Sequence, residues 1–344
     1  MTIREQIAAK GPVPFERFME LALYGTDGYF TTGPLRSEKA GDFLTSPEVS
    51  SLFGSTLAAF VESEFGRIGQ PFRLIEVAGG SGSLLRPLID TFPIEAWAVE
   101  VSAAARGALA SVIPAERIVA DLADVPDPWR GVVIANELID NLPMAIAQMT
   151  ESGWRERWVG VDAETLAFVD HEVRPEVATW LNRYAGPVET GDWVEVQLVA
   201  AEWLDRALHR LEQGSVVLID FGDLAENLAP RRREGTLRTY RSHHLGPHPL
   251  DEPGATDITA DVNFSALVAI AEAAGAKVEL HRQDDFLASL GLRQSLADLR
   301  HRELELARID NTMERLRVRN LVNEAQTLLH PRGLGDFRVL VARK

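Results

Sequence analysis

The sequence predicts a doubly wound α/β protein: a seven-stranded, mostly parallel sheet flanked by helices, with an N-terminal helical cap and an inserted antiparallel and helical subdomain. Three observations carry this. Residues 73–85 run from an apolar stretch holding Leu74, Ile75 and Val77 into Gly79, Gly80 and Gly82, and then into an apolar helix. That is the pattern of a buried parallel strand, a tight turn and a helix start. From there apolar runs alternate with helical stretches, as right-handed crossovers within one sheet require. The chain closes with a further apolar run at 337–343, after a charged helical segment.

Composition bounds the function. Of 344 residues 46% are hydrophobic and 25% charged, enough for a sizeable core. Lys+Arg 35 against Asp+Glu 51 gives a formal net charge of -16, which argues against nucleic acid or an anionic membrane as partner and suits a basic protein segment. Cysteine is absent, which removes disulfides, thiolate nucleophiles and zinc–thiolate sites together. No run approaches the roughly 18 apolar residues of a spanning helix. The first residues lack the apolar core of a signal peptide and the Arg-rich, acid-poor character of a transit peptide. A cytoplasmic, bacterial protein is therefore expected, without membrane insertion, and a homodimer is left open.

In chain order, residues 3–23 place apolar residues at helical spacing around Gly11-Pro12-Val13-Pro14, giving two short helices; residues 1–45 form the expected cap. Thr45 or Ser46 ahead of Pro47 and Glu48 is a helix start, with a hydroxyl cap, a proline in the first turn and an acid at the positive end. That helix is expected to continue through Phe53, Leu57 and Phe60. Strands follow at 73–78, 95–100, 117–121, 131–136, 215–222, 277–281 and 337–343. The core domain is thus expected at 46–148 and 215–344. Residues 149–214 form an insertion, whose segments around Trp154 and Trp193 alternate with period two and precede a helix at 200–211. A second, loop-like insertion spans 223–262, and 295–329 reads as one or two charged amphipathic helices.

A glycine turn before a helix lets backbone N–H groups approach a ligand at the positive end of the helix dipole. Glu100 follows about 20 residues later, where a ribose hydroxyl needs an acceptor. A dinucleotide site wants a third glycine, yet Leu85 stands there, so S-adenosyl-L-methionine is the better cofactor. Asp121 and Leu122 end the third strand, where the carboxylate can accept from an adenine amino group or cap the next turn. After the fourth strand the chain reads Asn136-Glu137-Leu138-Ile139-Asp140-Asn141-Leu142-Pro143. Ligands lie outside the carboxyl ends of such strands, so Glu137 and Asp140 are the candidate catalytic carboxylates: they would hold a cationic amine or guanidinium and take its proton. Spaced by three, they are neighbours if the segment opens a helix. The second insertion gathers Arg238, Tyr240, Arg241, His243, His244 and His248, but no pair has metal-ligand spacing and no metal is expected. Asp257-Ile258-Thr259, before a helix at Phe264, suits positioning rather than catalysis.

These motifs together resemble the MidA-like methyltransferases. The likeness rests on Met19 to Tyr24 with Gly28-Tyr29-Phe30, on Gly41-Asp42-Phe43-Leu44-Thr45-Ser46-Pro47-Glu48-Val49-Ser50, and on the 136–143 segment. It continues through Gly153-Trp154-Arg155-Glu156, Leu218-Ile219-Asp220-Phe221-Gly222, Gly235-Thr236-Leu237 and residues 253–264. The resemblance implies a class I, Rossmann-like methyltransferase that uses S-adenosyl-L-methionine. It also implies a protein acceptor carrying an arginine in a basic segment, since mitochondrial members of that family dimethylate an arginine of a complex I subunit. Carried over, Gly79, Gly80, Gly82, Glu100, Val101, Asp121, Leu122 and Asn136 contact the cofactor, Glu137 and Asp140 act on the acceptor, and Thr45, Ser46, Glu48 and His243 bind it. The chain departs from the family at Ala78, where glycine is usual, and at Ile139, where an aromatic is. A small-molecule N- or O-methyltransferase and a non-enzymatic, cofactor-binding assembly factor remain open as alternatives.

Overall fold

The computed structural model describes residues 1–32, 45–231, 233–241, 244–309 and 311–344. The chain divides into two compact units: one of residues 1–36, 137–209 and 220–276, the other of 37–136, 210–219 and 277–344.

The second unit carries the doubly wound sheet. Its strands in chain order are β1 (Arg73–Val77), β2 (Ala96–Val99), β3 (Ile118–Val119), β4 (Trp129–Asn136), β5 (Leu211–Asp220), β6 (Lys277–Arg282) and β7 (Arg338–Arg343). Across the sheet they lie in the order β6-β7-β5-β4-β1-β2-β3. β1 pairs in parallel with both β2 and β4, and β5 in parallel with β4, whereas β6 and β7 form an antiparallel pair from Lys277↔Arg343 to Arg282↔Arg338. Continuous apolar runs such as Val132 to Ala135 and Val216 to Ile219 suit strands covered on both faces. The helix Ser51–Ile68 covers one face, placing Phe53, Leu57 and Val61 in a core with Leu74, Val132, Val217, Leu287 and Val339. Truncating such a leucine to alanine costs about 2–5 kcal/mol.

Three expectations shift in detail. The helix after Thr45 is two helices: Ser46–Val49 ends at Ser50, which is extended (φ -156°) and caps the next helix through Leu52 N–H to Ser50 Oγ, 3.1 Å. The third strand stops at Val119, because Asp121 turns its carboxylate onto its own 3-10 helix. The charged segment is a hairpin of Leu292–Leu306 and Thr312–Leu328.

In the first unit, the helices Ile3–Lys10 and Phe15–Tyr24 group with the insertions, and Val13–Pro14 between them pairs antiparallel with Gly153–Asp162. The same sheet contains Ala145–Thr150, Thr165–His171 and Trp193–Val196. Trp180 and Leu181 of helix Pro175–Tyr184 pack on its Ala145, Ala147 and Val194. The second insertion is more regular than a loop: Arg238–Arg241 pairs with His244–Leu245 and with Asp257–Thr259. Its apolar and polar residues are too sparse for periodicity to reveal a three-residue strand.

Candidate functional site

The glycine loop begins at the carboxyl end of β1 with Ala78 at φ +59°, a left-handed conformation that favours glycine, followed by Gly80 at +51° and Gly82 at +81°. A Cβ at Gly82 would come 2.8 Å from Val112 Cγ2, so this glycine is required by packing as well as by its dihedral. The loop closes by Gly82 N–H to the Gly79 carbonyl, 2.9 Å, and leads into helix Leu85–Thr91. Close packing, which a third glycine would give, comes instead from Gly54 of helix Ser51–Ile68, where a Cβ would lie 2.6 Å from the Leu84 carbonyl oxygen.

Glu100 follows β2 and ties this loop to the next. Its Oε2 accepts the Gly80 N–H at 3.0 Å and its Oε1 the Ser102 N–H at 2.8 Å. Burial raises its carboxyl above the ordinary range, and those two backbone donors oppose the rise. Behind it, Glu76 of β1 is buried in the sheet; desolvation, with the Glu100 charge second, pushes it up to about 8. Its Oε2 is buried without a hydrogen-bond partner among the described residues. Val101, next in the chain, is 48% exposed. Asp121 accepts the Ala123 N–H at 2.8 Å, so the capping role foreseen for it is made. Asn136 ends β4 opposite Ile219.

Of the residues expected on the acceptor side, Ser46 is fully buried and its Oγ accepts from Gln283 Nε2 at 3.1 Å. Glu48 Oε1 accepts from Ser81 Oγ at 2.5 Å, and Ser81 Oγ in turn accepts the Ser83 N–H at 3.2 Å. Glu48 therefore braces the glycine loop, whereas Ser46 is tied to the helix Gln283–Ser289. Thr45 is the N-cap residue, without a side-chain cap bond. His243, and Gly41 to Leu44 of the family motif, lie outside the described residues.

The acidic segment belongs to the first unit. Glu137 takes φ +52° and Ile139–Asn141 is a single 3-10 turn, so Glu137 and Asp140 are not neighbours on an α-helix. The fully buried Asp220 explains the turn: its Oδ2 accepts the N–H groups of Ile139 (2.9 Å) and Asp140 (3.2 Å), and its Oδ1 that of Phe221 (2.9 Å). Asp140 Oδ2 accepts the Thr259 hydroxyl at 2.6 Å. Asn141 Nδ2 donates to Asp257 Oδ1 (2.8 Å) and to the Ile258 carbonyl (3.0 Å). Burial pushes Asp140 up to about 6, and burial with the charges of Asp140 and Glu137 raises Asp220 well above the carboxylate range. Both carboxyls are buried together, and burial disfavours the charged form of each.

Reading the sequence alone missed Glu76, Asp220 and Ser81. Asp220 had a signal, since it ends the fifth strand as Glu100 follows the second. Glu76 had none, because one acid within a buried strand looks like any interruption of an apolar run.

A glycine turn after the first of seven strands in this order, with an acid ending the second, defines a class I S-adenosyl-L-methionine-dependent methyltransferase. The family described as "Putative S-adenosyl-L-methionine-dependent methyltransferase" matches residues 56–281, and the chain belongs to it. It is similar over 88% of its length, at 28% identity, to the mitochondrial protein arginine methyltransferase NDUFAF7 of Xenopus tropicalis, covering 77% of that protein. To its Homo sapiens counterpart it is 27% identical over 96% of the chain and 80% of the relative. A crystal structure of a COG1565 superfamily member from Burkholderia thailandensis, bound to S-adenosyl-homocysteine, superposes with a TM-score of 0.85 at 29% identity, covering 99% of this chain and 90% of that one. The cofactor expectation stands, and the loop fits it. Gly80 and Gly82 bring backbone close, Glu76 keeps a buried oxygen without a partner, and Val101 offers an apolar surface beside Glu100. The cytoplasmic expectation does not stand: the Xenopus, human and mouse relatives are all named as mitochondrial. A reading taken from the first residues of a chain is overturned by them.

Proposed function

We propose that this methyltransferase acts on an arginine side chain of a protein. One observation carries the reading: Glu137, Asp140 and Asp220 converge on a single turn, and neither Asp140 nor Asp220 has an ion-pair partner among the described residues. Asp140 and Asp220, placed so, suit a guanidinium, the planar cation that carboxylates bind in pairs. The names of the relatives support the same acceptor class.

In this reading Gly79, Gly80 and Gly82 present backbone to the cofactor. Glu100 keeps a lone pair on each oxygen for ribose hydroxyls beyond the bonds it makes to Gly80 and Ser102. Val101 meets the adenine face, Asp121 with Leu122 its edge, and Asn136 the amino-acid end. Glu48 supports the loop through Ser81, Ser46 is held by Gln283, and Thr45 remains on the acceptor side. Bound S-adenosyl-L-methionine supplies an electrophilic methyl group on a sulfonium. Glu137 then holds the guanidinium and orients its nitrogen. Methylation would take one proton from that nitrogen, and Asp140 Oδ1 would accept it. Such positioned proton acceptance is worth about 10²–10⁴-fold.

Native protein and Glu137→Gln are incubated with methyl-labelled cofactor and cell lysate, and labelled protein is hydrolysed to amino acids. Methylated arginine from the native enzyme, falling about 100-fold or more in the variant, is the expected result. Label confined to small molecules or to other residues, or equal labelling by both proteins, would overturn the proposal.

A further inference from the structure

We propose that Asp220 and Thr259 are the positioning residues of the acceptor turn, fixing the one rotamer and the one free oxygen with which Asp140 works. The inference rests on reading Glu137 to Asn141 as the acceptor-binding segment, and it adds two residues from distant parts of the chain.

The turn cannot hold itself. A single 3-10 turn supplies few internal bonds, and its first N–H groups have no partner within it. Asp220 supplies those partners, since one of its oxygens receives two consecutive amides, those of Ile139 and Asp140. Converging consecutive N–H groups on one atom demands a tight bend just upstream, and Glu137 pays with φ +52°. Thr259, at the end of the short strand Asp257–Thr259, fastens the Asp140 side chain itself at 2.6 Å. The neighbouring Ala260 N–H reaches the Asp140 carbonyl at 3.3 Å, and Tyr24 Oη donates to the Asn141 carbonyl at 3.1 Å. With Oδ2 occupied by the threonine, Asp140 Oδ1 is left buried without a hydrogen-bond partner among the described residues.

A scaffold role alone would not select these groups. A buried carboxyl beside two other acids is costly, and an apolar or amide side chain usually serves structure better. The arrangement becomes favourable when a cation enters, because Asp140 and Asp220 have no ion-pair partner among the described residues. Thr259 holds Asp140 through a neutral hydroxyl, so the negative charge stays available to the acceptor.

The test uses Thr259→Val, Thr259→Ser and Asp220→Asn in the full chain. A pool of arginine-containing peptides and the same pool with lysine at each arginine serve as acceptors. Cofactor affinity by calorimetry and amide exchange at Ile139, Asp140 and Phe221 serve as controls of folding and of the turn. Thr259→Val is expected to lower kcat about 10-fold with cofactor affinity within 2-fold, and Thr259→Ser to restore it. Asp220→Asn puts an amide donor against backbone donors and is expected to speed exchange at Ile139 and Asp140 at least 10-fold relative to native protein. Equal kcat in Thr259→Val and native enzyme, or unchanged exchange in Asp220→Asn, would overturn the proposal. If native enzyme methylates neither pool, the arginine reading fails by itself, and the exchange result still decides whether Asp220 positions the turn.

Discussion

Glu76→Gln isolates the electrostatic cost built into the cofactor loop. Glu76 is buried in β1, and its carboxyl rises from 4.5 to about 8, chiefly through desolvation. In the unfolded chain it releases its proton near 4.5, whereas in the native state it keeps it until about 8. Between those values the native state binds more protons, so stability falls as pH rises, by about 1.4 kcal/mol per pH unit. Across the window the penalty approaches ~5 kcal/mol, and it is fully present above about pH 8. Glutamine has the shape of the neutral acid and no proton to lose. At pH 5 it gains nothing from this source, and its extra N–H can cost about 1–3 kcal/mol if unsatisfied. From pH 5 to pH 8 its stability relative to native protein should then improve by about 4 kcal/mol. Hydrogen exchange over peptides spanning Arg73–Val77 and Trp129–Asn136 reads the opening of this unit directly. Comparing the two proteins at each pH cancels the intrinsic pH dependence of exchange. A difference that stays constant from pH 5 to 8 would show that Glu76 is not held protonated, and would refute the desolvation argument.

Other outcomes follow from the same geometry. Ala78→Gly removes a left-handed alanine and should stabilise the unit by about 0.5–1 kcal/mol, read as a higher urea midpoint; a lower midpoint would contradict the assigned dihedral. Gly82→Ala combines φ +81° with a 2.8 Å approach to Val112, and should lose about 1–3 kcal/mol of stability along with more than 10-fold in cofactor affinity by calorimetry. Val101→Ala should leave stability within about 0.5 kcal/mol, since the side chain is half exposed, while weakening cofactor binding several-fold; unchanged affinity would remove Val101 from the proposed adenine contact. Glu64 accepts from Arg67, Ser215 and Arg343, which together hold its carboxyl below the ordinary range against the opposing effect of burial. Its stabilisation is therefore present above the unfolded value and is lost as pH falls through the native one. Glu64→Ala leaves Arg343 its pair with Glu279 but removes the acceptor of Arg67 and of the buried Ser215 hydroxyl, and should cost about 1–3 kcal/mol at pH 7 in thermal or urea unfolding.

The central strands were legible because their signal is local: an apolar run covered on both faces, as in β1, β4 and β5, needs no partner to be recognised. The glycine loop and Glu100 were legible for the same reason, since their meaning depends on chain spacing. Where the outcome depended on competition between local bonds, the sequence was ambiguous. Asp121 could bind a ligand or cap a turn, and Ser50 breaks a helix whose apolar spacing runs on through it. The acidic turn lay further from reach. Glu137 and Asp140 could be picked out as chemistry-bearing, but their arrangement depends on Asp220 and Thr259, which lie 80 and 119 residues from Asp140. No periodicity spans that distance. A backbone amide takes whichever carboxylate the fold brings to it, and the charge state of a buried acid depends on every neighbour that has displaced water. The sequence by itself determined the sheet and the cofactor, and it named candidate acids. Only the tertiary structure decided which of those acids are buried together, which oxygen has no donor among the described residues, and at which loop glycine an added Cβ would be crowded.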